Sequence, residues 1–413
     1  MMNCIEFLAS LGINPPADVE EPAFFTLAKS VYDEACREYD REGCVCTSDS
    51  FLETLYNEFD QKWSNWDSVL RAAAIIRGMP ELARFTVLLA SMLKADPKAV
   101  GKDSSWNLPV PPEGADPFPY EMTGFLALLP SVPAVAAQLR ERKVPEDIVN
   151  KSLVGLSSGI TVFAGNVHAP GYNAGRVRWS THHLVPDLLS IGRLGFEMRA
   201  FPGHVRAFTR EDGTMCVLAD GCRLHRSGLL LGAADCEDEE GAFDADYRET
   251  DAFFEGCPVE NGRAKPARIQ LPRSEWKEFL APGDPVISVH IPGFAPFGHD
   301  IVVESYQRAR AVFGLSFPDF PYRAFVCGSW LMDPMLDTLL EGKGNIVRFQ
   351  RDFYRYPNAS KGKAVYTFLY GMPNAAPADL PADSTLRRKV RDLLISGGHI
   401  YELGGILMPQ ALQ

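Results

Sequence analysis

The sequence is short of positive charge. Lys and Arg total 41 against 53 Asp and Glu, for a formal net charge of -12. A surface of that sign repels phosphate backbones, so general nucleic-acid binding is not expected. It leaves room for a local anion pocket built from backbone N–H groups. Paired cysteines are missing too. The nine cysteines are odd in number and scattered, with no C-x-x-C; Cys44 and Cys46 are the closest, and Cys216 and Cys222 stand six apart. Neither a disulfide framework nor a structural zinc site is expected, and no metal is assigned. No apolar run approaches the roughly 20 residues needed to span a bilayer. The opening MMNCIEFLASLG lacks the basic flank and long apolar stretch of a signal peptide. The expectation is a cytoplasmic protein with no membrane partner. Also absent are H-E-x-x-H, a G-x-S-x-G elbow, a Walker loop and a G-x-G-x-x-G after a strand.

What is present is a globular mixture. The 413 residues are 46% hydrophobic and 23% charged, which suits two or three domains. The first third reads as helical: segment 22–42 places Phe24, Leu27, Ala28, Val31 and Tyr32 on one helix face. Segments 48–61, 66–76 and 79–94 repeat the style, with Ser48 and Ser50 as candidate N-caps and Pro80 near a helix start. After a Pro/Gly-rich break at 108–120, helical patterns resume at 121–141 and 145–157. Residues 1–150 are therefore predicted as a helical domain and 151–413 as a second domain of a different, strand-containing kind. From about residue 158 the period falls to two. Strands are predicted at 192–201, 204–209 and 214–219, the last two joined by the turn Arg210-Glu-Asp-Gly213, followed by a loop and strand at 221–232. The acid-dense run 235–252 lacks the ligand pattern of an EF-hand and reads as a solvated loop.

The informative stretch is 284–341. Asp284–Pro292 reads as a strand, Gly293–Asp300 as a glycine-containing loop, and Ile301–Phe313 as an amphipathic helix with Tyr306 inside and Glu304, Arg308 and Arg310 outside. Tyr322–Trp330 reads as a second strand, after which Asp333-Pro334 opens a further helix. Strand–loop–helix–strand requires a right-handed crossover between parallel neighbours. It also aims a helix N-terminus at one end of the sheet.

Several residues together carry a resemblance. They are Gly192-Arg-Leu-Gly-Phe-Glu197, Val289-His-Ile-Pro292, Ser305-Tyr306 with Arg308-Ala309, Phe325-Val-Cys-Gly-Ser-Trp-Leu-Met-Asp-Pro334, Gly344-Asn-Ile346 with Phe349-Gln350, and Ser384-Thr-Leu-Arg387. In these the chain resembles bacterial two-domain proteins that pair a helical N-acyltransferase domain with a GNAT-like C-terminal domain, GNAT being the CoA-dependent N-acetyltransferase superfamily. The resemblance implies an α+β chain: an all-helical N-terminal domain, then a mixed β-sheet flanked by helices. It implies an acyltransferase that moves a short acyl group from acyl-CoA (acetyl-CoA) to a small-molecule or peptide amine. Strand 284–292, through Val289 and Ile291, would pair with the pantetheine arm. Gly293, Phe297, Gly298, His299, Asp300 and Ile301 would hold the pyrophosphate, and the next strand would splay away to admit the thioester. The superfamily's usual Arg/Gln-x-x-Gly-x-Gly/Ala is replaced here by Gly293-Phe-Ala-Pro-Phe-Gly298, in which Pro296 removes one amide donor.

Attack on a thioester needs a neutral amine, hence a base, and the departing thiolate needs a proton or a donor. His290 lies on the strand that flanks the thioester and is the first candidate base; the competing reading is a core histidine bonded to backbone. Glu197 is a second base or an orienter of His290, against a plain salt bridge with Arg193 or Arg199. Cys327 and Ser329, two apart on the next strand, are a candidate acyl-accepting thiol and a candidate donor, against inert packing and a local backbone bond. Asp333 reads as a helix cap. Tyr354, Tyr356, Tyr366 and Tyr370 are candidate proton donors with nothing to choose between them. His182-His183, near His168, lack a ligand geometry. Two other classes stay open: a catalytically silent GNAT-like ligand-binding or sensor protein, and a Cys327-dependent acyl-enzyme hydrolase.

Overall fold

The computed structural model describes residues 2–17, 22–161, 169–293 and 296–409. Two compact units divide the chain, Met1–Ser190 and Ile191–Gln413. The division falls later than residue 150 because helix Ala174–Leu184 packs against helices Pro97–Lys102 and Phe118–Leu128 of the first unit.

The first unit is helical as its periodicity requires, with helices Ala23–Glu42, Asp49–Glu58, Trp66–Arg77 and Pro80–Ala95 at the predicted places. Ser48 caps its helix by accepting a bond of 3.3 Å from the Phe51 N–H, while Ser50 lies inside the first turn. Pro80 is the first helical residue, where its missing N–H breaks no bond. Trp106, fully buried, stacks on Phe24 with ring centroids 4.6 Å apart. Contrary to the sequence expectation, one segment, Phe118–Glu141, is long and apolar enough to cross a membrane, and most of it is buried in the structure. A simple count of apolar runs misses it because Glu121, Pro119, Pro130 and Pro133 interrupt the run.

The second unit is built on strands. In chain order they are β1 (Leu188–Ile191), β2 (Leu194–Ala200), β3 (Val205–Thr209), β4 (Met215–Ala219), β5 (Cys222–Leu224), β6 (Phe243–Ala245), β7 (Arg248–Glu249), β8 (Phe253–Glu260), β9 (Arg263–Ala264), β10 (Ile269–Pro272), β11 (Lys277–Leu280), β12 (Pro285–His290), β13 (Ala324–Ser329), β14 (Tyr354–Tyr356) and β15 (Leu403–Leu407). The main sheet runs β1-β2-β12-β13-β15-β14, and a second sheet runs β10-β8-β4-β3-β11. β3 and β4 form the predicted hairpin, closed by the Arg210 N–H bonding to the Thr214 carbonyl at 3.0 Å. The acid-dense run is more ordered than a solvated loop. β6 pairs there with β5, and Arg223 binds Glu239 and Asp244 while Arg226 binds Asp238.

Register decides which side chains share a face, because residues alternate along a strand and paired residues point the same way. Ser288 stands opposite Glu197 and His290 opposite Gly195. Ser288 also pairs with Val326 in the parallel ladder, and Gly328 pairs with Gly404. One face therefore carries Phe196, Phe325 and Cys327. It packs on helix His299–Ser316 through Tyr306, whose ring lies 6.3 Å from Phe196 and 5.9 Å from Phe325. The other face carries Val286, Ala324, Val326 and Ile406 and packs on Val205, Val217 and Leu280 of the second sheet.

Candidate active site

The two central strands start together and then part. β12 and β13 are paired in parallel from Val286–Ala324 to Ser288–Val326, where their ladder ends among the described residues. Beyond that point each keeps its outer partner: Val289 and His290 stay on Phe196 and Gly195 of β2, and Cys327 to Ser329 stay on Gly405 to Leu403 of β15. The backbone edges that face each other across the gap are left without a common ladder.

His290 and Glu197 meet at this fork. Their strands place them diagonally on one face, and His290 Nε2 lies 2.9 Å from Glu197 Oε2. The Glu197 side chain is 11% exposed and that of His290 25%, so the carboxylate is sheltered and the ring reaches the surface. A carboxylate only accepts, so Nε2–H is the donor.

The loop after β12 leads into helix His299–Ser316. No side chain caps that helix: Gly298 occupies the cap position, and Asp300 is exposed in the first turn without bonding the helix amides. The first amides of a helix have no partner in their own ladder, and the helix dipole adds partial positive charge there. Phe294 and Ala295 lie outside the described residues. The remainder of the loop is clamped. Arg193 donates from Nη2 to the Pro292 carbonyl at 2.6 Å and from Nε to the Pro296 carbonyl at 2.8 Å, and stands over the Phe297 ring. His299 Nε2 is 3.0 Å from both oxygens of Asp352, whose carboxyl is raised by burial. Phe297 packs edge-on against Phe349.

Several residues of the resemblance owe their identity to this clamp. Gly192 has φ +58°, and a Cβ there would stand 2.4 Å from Ser305 Oγ. Ser305 in turn accepts from the Arg193 N–H at 2.8 Å and donates to the Ile301 carbonyl. Gln350, fully buried, donates to the carbonyls of Leu331 and Asp333 and fixes the chain after β13. Asp333 accepts from the Met335 and Tyr401 N–H groups, but the N-cap position of helix Met335–Leu339 is held by Pro334, so the helix starts one residue later than the Asp-cap, Pro-first reading expects.

The remaining candidates are dispersed. Val289 is buried on the helix face, and Ile291 packs on the cluster of Leu331, Val365 and Tyr366. Cys327 is fully buried on the face opposite His290, and burial raises its thiol from 9.0 to about 12. Ser329 Oγ accepts from the Leu331 N–H at 3.1 Å, capping a turn. The Tyr354 and Tyr370 hydroxyls donate to the carbonyls of Val259 and Arg387. Tyr356 lies on the His290 face with its ring against Gly404, and Tyr366 belongs to a separate cluster. His182 and His183 lie in the last turn of helix Ala174–Leu184, far along the chain from the fork, and His168 lies outside the described residues.

A parted pair of parallel strands, a histidine–carboxylate couple at the fork and an uncapped helix N-terminus beside it define a recognisable architecture. A sequence model of the GNAT-like C-terminal domain matches residues 188–407, more than half of the chain. The chain belongs to this family. Among solved structures, it is similar to an acyltransferase in complex with decanoyl-CoA and teicoplanin, to one in complex with CoA and 10C-teicoplanin, and to an acyltransferase mutant in complex with octanoyl-CoA. Each shares 18% identity at a TM-score of 0.60, over 98% of this chain and 99% of that one. At that identity the likeness is one of fold. A search of curated proteins finds no match.

Proposed function

We propose that the protein transfers an acyl group from acyl-CoA to an amine. The observation that carries this reading is the fork between β12 and β13 with the His290–Glu197 pair at its mouth. The freed edge of β12, at Val289 and Ile291, offers main-chain groups to a pantetheine arm. The amides of Gly298 to Ile301 and the helix dipole offer a seat for the pyrophosphate without basic side chains, which suits a chain of this net charge. Arg193 and the two prolines hold that seat rigid.

In the reaction, the imidazole of His290 takes a proton from the acceptor ammonium. The neutral amine nitrogen then attacks the thioester carbonyl, and as the C–S bond of the tetrahedral adduct breaks, the extra proton on the adduct nitrogen passes to the leaving CoA sulfur, so that amide and CoA thiol form together. Glu197 fixes the ring orientation and stabilises the imidazolium, a role that a buried carboxylate performs without taking the proton itself. Cys327 has no part in this scheme, because a thiol raised to about 12 is neutral at physiological pH. The acyltransferase structures named above hold eight- and ten-carbon acyl chains, one of them beside teicoplanin. The acyl range to test therefore runs from acetyl to decanoyl, and the acceptor is a small-molecule amine.

The experiment is mass-resolved detection of acylated amine and free CoA with acetyl-, octanoyl- and decanoyl-CoA, together with a thermal shift for each. Equal yields of amide and CoA, abolished by His290→Ala, are expected. No thermal shift and no product with any of the three would remove the reading.

A further inference from the structure

The helical unit holds two thiols in contact. Cys44 and Cys46 flank Val45, and their sulfurs lie 3.3 Å apart. Among the described residues no other pair of cysteines makes a sulfur–sulfur contact. The local backbone brings this one about. Val45 opens a short 3₁₀ turn, Val45–Thr47, between helices Ala23–Glu42 and Asp49–Glu58. One helical residue between two cysteines sets their Cα atoms roughly 5.5 Å apart, within the span that a disulfide bridges. The turn is pinned from below. Thr47 is fully buried, and its N–H and hydroxyl both donate to the Cys44 carbonyl, at 3.0 and 2.8 Å.

The two sulfurs are not equivalent. Cys44 is half-buried, whereas Cys46 lies in the core at 2% exposure. Hydrogen bonds from Cys46 and Thr47 hold the Cys44 thiol below its ordinary value. The same bond to Cys44, together with burial, pushes the Cys46 thiol well above its own. A reachable thiol that ionises readily, with a second thiol against it, is the arrangement that oxidants attack and that closes to a disulfide. The other cysteines lack one half of it. Burial raises Cys216 and Cys222 to about 11, and Cys327 is fully buried with no sulfur beside it.

We propose that Cys44 and Cys46 form a hydroperoxide-reactive dithiol, a modification site in which Cys44 is oxidised and Cys46 closes the disulfide. The Cys44 sulfur, its proton released, attacks the near oxygen of the hydroperoxide. The O–O bond breaks, the sulfur becomes a sulfenic acid, and the far oxygen takes the proton and leaves as water or an alcohol. The Cys46 sulfur then attacks that of Cys44. The S–O bond breaks, and the hydroxide leaves with the Cys46 proton as water. Two thiols have lost two electrons, which the hydroperoxide has gained. The site is independent of the transferase reading.

The test treats the full chain with hydrogen peroxide at neutral pH and maps its tryptic peptides by mass. Cleavage after Arg41 and Lys62 puts both cysteines, and no other, on peptide 42–62. That peptide should lose two hydrogen atoms about tenfold faster than any other cysteine in the chain is oxidised, and a dithiol reductant should restore it. Dimedone, which captures sulfenic acids, should label Cys44 in Cys46→Ser and should leave Cys46 unlabelled in Cys44→Ser. Two free thiols on peptide 42–62 after peroxide treatment, or oxidation there no faster than elsewhere, overturn the proposal. Dimedone on Cys46 instead of Cys44 overturns the assigned order. The wild-type map needs no variant, so it decides the matter even if a serine variant fails to fold.

Discussion

The two faces of the main sheet are made from the same strands, yet they do opposite things. On the helix side, Phe196, Phe325, Cys327 and Tyr306 form a closed, dry layer. On the other side, the same strands pack Val286, Ala324, Val326 and Ile406 on the second sheet and, towards the fork, carry Glu197, His290 and the exposed Gly328. Burial pushes both titratable groups of the dry face upwards: the Cys327 thiol to about 12, and the Tyr306 phenol well above its ordinary value. The fork end of the other face instead pairs imidazole with carboxylate. Alternation of one residue along β13 separates an inert cysteine from the floor of a reactive trough. Chemistry on this sheet is therefore a matter of register before it is a matter of residue type.

The largest effect that can break this contrast lies at the fork. His290→Ala should lower kcat by about 10²–10⁴ while leaving the melting temperature close to wild type, because a partly exposed ring at a strand end carries little packing. Glu197→Gln should cost less than His290→Ala, since the amide keeps a bond to the ring but no longer favours the imidazolium. Stopped-flow or steady-state rates with matched melting curves check both. If Cys327→Ala were to lose as much activity as His290→Ala, the assignment of faces would be wrong.

The dry face should fail in another way, through stability. Gly192→Val forces a Cβ into Ser305 at a positive φ, and should cost about 2–4 kcal/mol, read as a lowered urea midpoint. Loosening of the Arg193 clamp should raise the KM for acyl-CoA in the fraction that folds. Cys327 should resist a thiol reagent at neutral pH in the native protein and react only after denaturation. The same shift has a sign in stability. With the native thiol at about 12 and the unfolded thiol near 9.0, the unfolded state binds fewer protons between those values. Stability should fall as pH rises through that window, and Cys327→Ala should remove its share of the slope in alkaline denaturation curves.

Much of the skeleton was legible. The apolar runs at 284–292 and 322–330 and the amphipathic pattern after 301 dictate strands and a helix wherever they occur, and β12, β13 and helix His299–Ser316 stand where those patterns put them. Pairing across chain distance was not legible. Glu197 and His290 are 93 residues apart, and only the β2–β12 register makes them a couple. Cys327 and Ser329 entered as candidates behind His290 because strand order does not reveal parity. Arg193 and Arg199 entered only as alternative salt-bridge partners of Glu197; that the Arg193 guanidinium holds the Pro292 and Pro296 carbonyls is a loop contact for which spacing gives no signal.

The smallest expected effect tests the dryness of the helix face directly. The Tyr306 hydroxyl is buried and has no hydrogen-bond partner among the described residues, although its ring touches Phe196, Phe325 and Phe353. A buried hydroxyl without a partner costs the folded state its lost hydration, whereas the ring contributes packing that phenylalanine reproduces. Tyr306→Phe should therefore be neutral or stabilising by up to about 1 kcal/mol, with rates unchanged. Phenylalanine at this position removes the unmet donor and keeps the layer closed. A clear destabilisation would mean that the hydroxyl is satisfied by water reaching that layer, and the two faces would then differ in composition but not in dryness.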